Sequence, residues 1–414
     1  MVRLFPESVA RARSHAARFP RPYWFLLAGE AVQSLGFGIA VPYFTLYLTG
    51  PVGITPSQAG VMMLVWAVVS LVGQPLGGVL ADRIGRRPVM IAGLAGAGVS
   101  AAGFAFVTGF WDVIVVTVAW SIFNGVFEPA AGAYVADVVE PGLRTEAFGL
   151  WRVMGNAGFA IGPPVGALVI WLSSMRATFL FAGLAIVLFL VIIFRGLPES
   201  RPEPGEGEPP ARFREALRDR LLLILALGTG IATFTYAFFE EALPVFLHEE
   251  RGLAVVTWGL VLGINPVLVT IFQYPISRWA ARRSSRNILA FGAVLQGAAL
   301  ALLLPFTSIG ALVAAVVVLA VGEMLIAPVG AAVAADIAPE RLRGSYQGVI
   351  NIAWEGAWGP AALIGLWLVG RGQGEIFLAL ALPIGGLAAL FFLMLPGGRL
   401  QRETPVVAVE AAHP

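Results

Sequence analysis

The sequence predicts an all-α membrane protein with twelve transmembrane helices arranged as two pseudo-symmetric six-helix halves. Three observations predict it. The chain of 414 residues is 58% hydrophobic and only 13% charged, with a mean hydropathy of +0.83; soluble domains carry roughly twice that charge. Apolar runs recur at approximately 22–48, 56–80, 88–108, 112–136, 146–172 and 177–195, and again at 221–247, 255–281, 287–306, 309–335, 345–370 and 375–395. Each reaches the ~20 residues a helix needs to cross the hydrocarbon. The second set also repeats the first. Asn124 to Gly166 and Glu323 to Gly365 share a frame in which Pro129 matches Pro328, Asp137 matches Asp336 and Arg144 matches Arg343. Gly162-Pro163 matches Gly359-Pro360, Pro75 matches Pro275 and Arg86 matches Arg286.

Taken in order, residues 1–21 hold five arginines and no long apolar core, so a cytoplasmic arm is expected, not a signal peptide. Its arginines can meet anionic lipid heads. The first six spans make an N-terminal half, 22–195. Residues 196–220, rich in proline, glycine and glutamate, read as an extended cytoplasmic linker ending in a short surface helix. The C-terminal half covers 221–395, and 396–414 is a cytoplasmic tail. Turns holding Arg83/Arg86/Arg87, Arg144, Arg282/Arg283/Arg286 and Arg341/Arg343 alternate with nearly neutral ones. That bias puts both termini in the cytoplasm and the chain, multi-pass, in the inner (plasma) membrane.

Several chemistries are excluded or disfavoured. The chain has no cysteine, which removes disulfides, thiolate metal sites and cysteine nucleophiles. Its three histidines, His15, His248 and His413, all lie outside mid-span, so a zinc site or histidine relay is not expected. The net charge of +2 comes from arginines scattered among turns, which disfavours a nucleic-acid partner. H-E-x-x-H and G-x-S-x-G are absent, and no enzyme is expected.

The most informative stretch is the turn Gly77-Gly78-Val79-Leu80-Ala81-Asp82-Arg83-Ile84-Gly85-Arg86-Arg87-Pro88. Its glycines let neighbouring helices approach closely, and its charges sit where adjacent helix ends can reach them. This dodecamer resembles the signature of the major facilitator superfamily between the second and third helices. The resemblance implies a gating charge relay of Asp82, Arg86 and Asp137 that stabilises one of two states. The six-plus-six repeat is the arrangement of such halves, with substrate near the midplane between them. Asp82 is answered in the second half by Arg282, so the gate is expected in one half only.

Ionisable side chains within spans are costly and are therefore functional candidates. Glu30, Glu128 and Arg152 fall at equal depth, roughly 12–14 Å from the cytoplasmic boundary at ~1.5 Å per residue. Two readings stay open: a proton-coupling cluster with Arg152 holding one carboxylate ionised, or a structural ion pair between spans 4 and 5. In the second half Glu323 and Glu355 lie well inside spans 10 and 11. Glu240 and Glu241 are expected near the outer mouth, one snorkelling to water. Asn265 and Gln273 are cavity candidates, because amides in lipid need partners. The aromatics Trp66, Trp120, Phe123, Phe127, Phe238, Phe239, Trp354 and Trp358 divide between cavity lining and lipid contact.

Gly322-Glu323-Met324-Leu325-Ile326-Ala327-Pro328, Arg152-x-x-x-Asn156 and Gln273-x-Pro275 resemble bacterial drug–proton antiporters of the MdtH/LmrP type. That resemblance implies a coupling or cation-binding role for Glu323. Gly158-x-x-x-Gly162-Pro163-Pro164-x-Gly166 resembles the antiporter signature of span 5, with Ala167 in place of its last glycine. The family's span-4 arginine is replaced by Ser121. The expected function is a secondary active transporter exporting lipophilic or cationic drugs by alternating access. It would act as a monomer among membrane lipids, with a small-molecule substrate, protons as coupling ion and no cofactor. Alternatives are a narrower metabolite transporter on the same scaffold and a membrane receptor or scaffold without transport.

Overall fold

Apolar runs become helices in lipid because only internal hydrogen bonding can satisfy a backbone removed from water. The structure, a computed structural model, describes residues 18–140, 143–200, 213–280, 282–305, 308–339 and 342–397. Residues 1–17 of the expected arm, 201–212 of the expected linker and 398–414 of the expected tail lie outside the described residues. Among the described residues twelve long helices run in order: α1 (Arg21–Thr49), α2 (Pro56–Ile84), α3 (Arg86–Gly103), α4 (Phe110–Val138), α5 (Arg144–Leu172), α6 (Met175–Gly196), α7 (Arg220–Glu249), α8 (Val255–Ala280), α9 (Ser285–Ala301), α10 (Ile309–Ile337), α11 (Arg343–Val369) and α12 (Gly374–Leu393), with one short helical turn, Phe213–Ala216, at the end of the linker. Eleven of them are long and apolar enough to span a membrane. The other, α9, has 17 helical residues, about 26 Å at 1.5 Å each, and packs between α10 and α12.

Helix starts are written in the sequence. Thr55 and Gln58 form a capping box on α2, while Ser174 and Ser308 cap α6 and α10. Asp219 accepts from the backbone amides of Leu221 and Leu222 at the start of α7, and its other oxygen accepts from Tyr346 of α11 at 2.7 Å. The internal repeat reappears as geometry. Helices α4 and α10 both run 29 residues and enclose Pro129 and Pro328, and α5 and α11 start at the matched Arg144 and Arg343.

Small residues set how closely helices approach, as packing in lipid requires. A Cβ on Gly158 or Gly162 would fall onto the backbone of α1 around Ala31 and Gly38, and one on Gly166 would meet Ile39 and Tyr43. Gly77 lies against the backbone of Val126 in α4. Gly78 does not share this role: open space surrounds the position of its missing Cβ. Large apolar side chains such as Val99, Trp111, Trp171 and Phe194 face outward, where lipid covers them.

The two halves meet along α2–α11 and α5–α8. Gly60 lies against Leu363, Gly359 against Ala67, and Gly263 against Pro164. At the end of the bundle near Tyr43, the Trp258 indole donates to the Pro42 carbonyl across the halves (3.2 Å), and Gly259 leaves room for the Tyr43 hydroxyl. These contacts join the halves at the end opposite the Arg86 turn.

Gly162→Val should therefore lower the thermal unfolding midpoint of detergent-solubilised protein by several degrees, the usual scale for overpacking of about 1–3 kcal/mol. Gly78→Ala should leave it within about one degree. Equal effects in tryptophan-fluorescence melts would contradict the assigned α1–α5 contact.

Candidate functional site

The Arg86 turn is tied down within the first half. Gly85 has φ of +116°, a conformation that glycine adopts readily and L side chains resist, and it ends α2 while α3 starts at once. The Arg86 guanidinium donates through Nε to Asp137 of α4 (3.1 Å) and through Nη1 to the Ala81 carbonyl (2.8 Å). Thus two of the three relay residues expected from the sequence are in contact. The side chain of the third, Asp82, lies outside the described residues.

Two further members come from the stretch read as linker. The Glu199 carboxylate accepts from the backbone amides of Arg86 (2.8 Å) and Arg87 (3.2 Å), and Ser200 donates to Asp137 (3.1 Å). Glu199 therefore supplies α3 with the capping acceptor that Gly85, lacking a side chain, cannot. The first residues after α6, extended at Leu197 as the proline and glycine content leads one to expect, also close this turn through Glu199 and Ser200. Pro198-Glu199-Ser200 directly after the last apolar residue was the available signal.

Mid-bundle, the second-half candidates converge. Glu323 is the central residue of α10. Its Oε2 accepts from the Asn265 side-chain amide of α8 (3.1 Å) and from the Tyr236 hydroxyl of α7 (3.3 Å). The same Tyr236 hydroxyl also contacts the Glu240 carboxylate one turn on. These four residues, with Asn156 and Phe159 of α5 and Leu262, Pro266 and Val269 of α8, line a cavity of ≈ 150 Å³. Both halves contribute to its wall.

A π-turn at Phe238–Ala242 interrupts α7 at this point. It corrects the expectation that Glu240 and Glu241 sit at an outer mouth. Glu240 faces the cavity beside Glu323. Glu241 is buried and accepts from the Trp358 indole of α11 at 3.2 Å. The extra residue in a π-turn rotates the remainder of the helix away from a regular α-helical path, which counting along an ideal helix does not anticipate. Tyr236, absent from the candidates read in the sequence, holds the two carboxylates together.

The first-half candidates divide differently from the expected trio. Glu30 accepts from Ser34 (3.0 Å) and from Trp151, not from Arg152. Glu128 lies within Coulombic range of Glu30 and also of Glu355 on α11 in the other half. Arg152 is exposed and acts electrostatically on Glu323 of the opposite half; among the described residues it forms no ion pair with Glu30 or Glu128. Gln273 donates to Ser277 and to the Met324 carbonyl, tying α8 to α10 outside the lining named above. Ser121 is buried on α4. Among the described residues no cluster of histidine and carboxylate side chains could hold a metal ion.

A family model described as Major Facilitator Superfamily matches residues 26–270 and 225–412, nearly the whole chain. The chain belongs to the major facilitator superfamily. Among curated relatives of this superfamily member, YqjV of Bacillus subtilis, an uncharacterized MFS-type transporter, is 26% identical over 84% of this chain and 85% of its own. Multidrug resistance protein MdtH of Cronobacter sakazakii is 27% identical over 89% and 90%. A solved structure of a mutant of the nucleoside transporter NupG superposes with a TM-score of 0.77 at 13% identity, over 90% of this chain and 99% of that one. That likeness shows the major facilitator fold. Family and spans together make this a multi-pass membrane transporter of a small-molecule substrate.

Loss of the Glu199 acceptor should be visible locally. In Glu199→Ala, hydrogen exchange of the Arg86 and Arg87 amides should accelerate about fivefold, the equivalent of a lost cap of ~1 kcal/mol. Exchange unchanged from wild type would show that the turn is held without Glu199.

Proposed function

We propose that the chain is a proton-coupled exporter of lipophilic or cationic small molecules, seated in the inner membrane with the Arg86 end in the cytoplasm and working by alternating access. The observation that carries this reading is the pair of carboxylates, Glu240 and Glu323, sharing one Tyr236 hydroxyl inside a cavity built from both halves. A phenol has a single proton to donate. With both acids ionised, the Tyr236 proton serves only one of them, so that either Glu240 goes without it or Glu323 keeps only the neutral Asn265 amide, in surroundings where an under-compensated charge is costly. A proton on either acid removes the deficit, and so does a cationic substrate. The two cannot both be held at full strength, and that competition is the basis of exchange.

Alternation arises from where the wall residues sit. Asn156 and Phe159 belong to α5, and Tyr236, Asn265 and Glu323 to the second half, so rocking the halves changes which end the cavity faces. Arg152 adds a positive charge near Glu323 when no cation is bound. The apolar lining of Phe159, Leu262, Pro266 and Val269 suits a lipophilic body. The multidrug resistance protein MdtH among the relatives supports export of such compounds, and the arginine bias of the turns supports the orientation.

The test is a pH probe in inverted vesicles carrying an acid interior, with a panel of lipophilic cations added to wild type, Glu323→Gln and Glu30→Gln. Cation-dependent proton efflux is expected in wild type and Glu30→Gln, with at least a tenfold loss in Glu323→Gln. Loss in Glu30→Gln alone would move coupling to the Glu30–Glu128–Glu355 group. No response to any cation in wild type would refute the reading.

A further inference from the structure

Hydrogen-bond donors and acceptors do not balance around Asn265 and Glu323 in the wall of the central cavity. Its two described donors to Glu323, the Tyr236 hydroxyl and the Asn265 amide nitrogen, both end on Oε2. Oε1 of Glu323 accepts no hydrogen bond from a described residue beyond these. The Asn265 amide is oriented by its neighbour: an ionised carboxylate can only accept, so the NH₂ group is the part that meets Glu323, and the carbonyl oxygen takes no part in that bond. Asn265 is 5% exposed, and its Oδ1 is buried without a hydrogen-bond partner among the described residues. Buried acceptors without donors are rare and cost free energy until a donor arrives. Glu240 adds a further acceptor that shares the Tyr236 proton.

We propose that this cavity selects cations carrying N–H donors, such as primary ammonium, amidinium or guanidinium heads on an apolar body, over permethylated cations of equal charge, with Asn265 Oδ1 and Glu323 Oε1 as the selecting acceptors. This rests on the exporter reading above and specifies its substrate class. Charge alone attracts either kind of cation. A primary ammonium brings three donors to these two acceptors, whereas a trimethylammonium brings none and cannot relieve Asn265. Sites that hydrogen-bond a ligand group reject analogues lacking it far more strongly than apolar pockets reject a change of size. The trimethylated compound is also the more apolar of the two, so without hydrogen bonding it would bind equally or better.

The experiment compares 4-phenylbutylammonium with 4-phenylbutyl-trimethylammonium, by calorimetry on the purified full chain, at one pH where both are cationic. Wild type should bind the primary ammonium at least about tenfold more tightly, the value of one charge-assisted hydrogen bond. In Asn265→Leu the ratio should fall severalfold towards one, with trimethylammonium affinity changed less than about twofold. Asn265→Ser, which retains an oxygen acceptor, should keep most of the preference; should the leucine variant fail to fold, wild type and the serine variant decide. Equal or tighter binding of the trimethylated compound by wild type, or an undiminished ratio in Asn265→Leu, overturns donor selection while leaving a cation exporter intact. Binding of neither compound removes the cation site and this selectivity together.

Discussion

One phenolic proton between two carboxylates governs the centre of this molecule. Tyr236 reaches Glu240 on its own helix and Glu323 on α10, and Asn265 adds a second donor to the same oxygen of Glu323. In water such an arrangement would be unremarked, since solvent supplies every missing bond. Within a bilayer each missing donor is felt, and buried polar networks are favourable only when complete. The cavity is therefore a site whose satisfaction depends on what enters it. That dependence links chemistry to movement, because the contributing side chains belong to both halves of the bundle.

The surrounding structure makes this incomplete network tolerable. Close contacts between α1 and α5, through Gly38, Gly158 and Gly162, hold the first half as one block. Contacts of α2 with α11 and of α5 with α8 join it to the second half. The inter-half bond from Trp258 to Pro42 lies at the end opposite Arg86. At the Arg86 end, the ties made by Arg86, Asp137, Glu199 and Ser200 stay within the first half and its outgoing segment. Such a distribution suits rigid blocks that pivot, with internal bonds preserved while inter-half ones exchange.

Much of this is legible in the sequence, and the parts that are not have identifiable causes. Apolar run length gives the helices, since the hydrocarbon thickness fixes how many residues a span needs. The repeat gives matching helices at Phe110 and Ile309, and the Gly77–Pro88 turn gives the Arg86–Asp137 contact. Glu30 and Glu128, expected at one depth by rise per residue, lie within electrostatic range of each other. Azimuth is not legible. Which way Arg152 turns depends on the crossing of α5 with its neighbours, and the side chain acts on Glu323 where Glu30 or Glu128 is expected. Glu240 escapes for a related reason, because the π-turn at Phe238–Ala242 breaks the regular count. Glu199 is hidden by composition: a proline- and glutamate-rich segment reads as solvated until the unpaired amides of Arg86 and Arg87 are seen beside it.

Two adjacent glutamates at the π-turn serve different surroundings. On a regular helix, residues one apart point about 100° from each other, so both cannot share a face. Here Glu241 is held by the Trp358 indole on α11, and Glu240 stands with Tyr236 and Glu323 in the cavity. Any shift of α7 relative to α11 acts on the first contact, while any change of charge in the cavity acts on the second. A local widening of the helix, where backbone bonds are already irregular, is where such a helix adjusts at least cost.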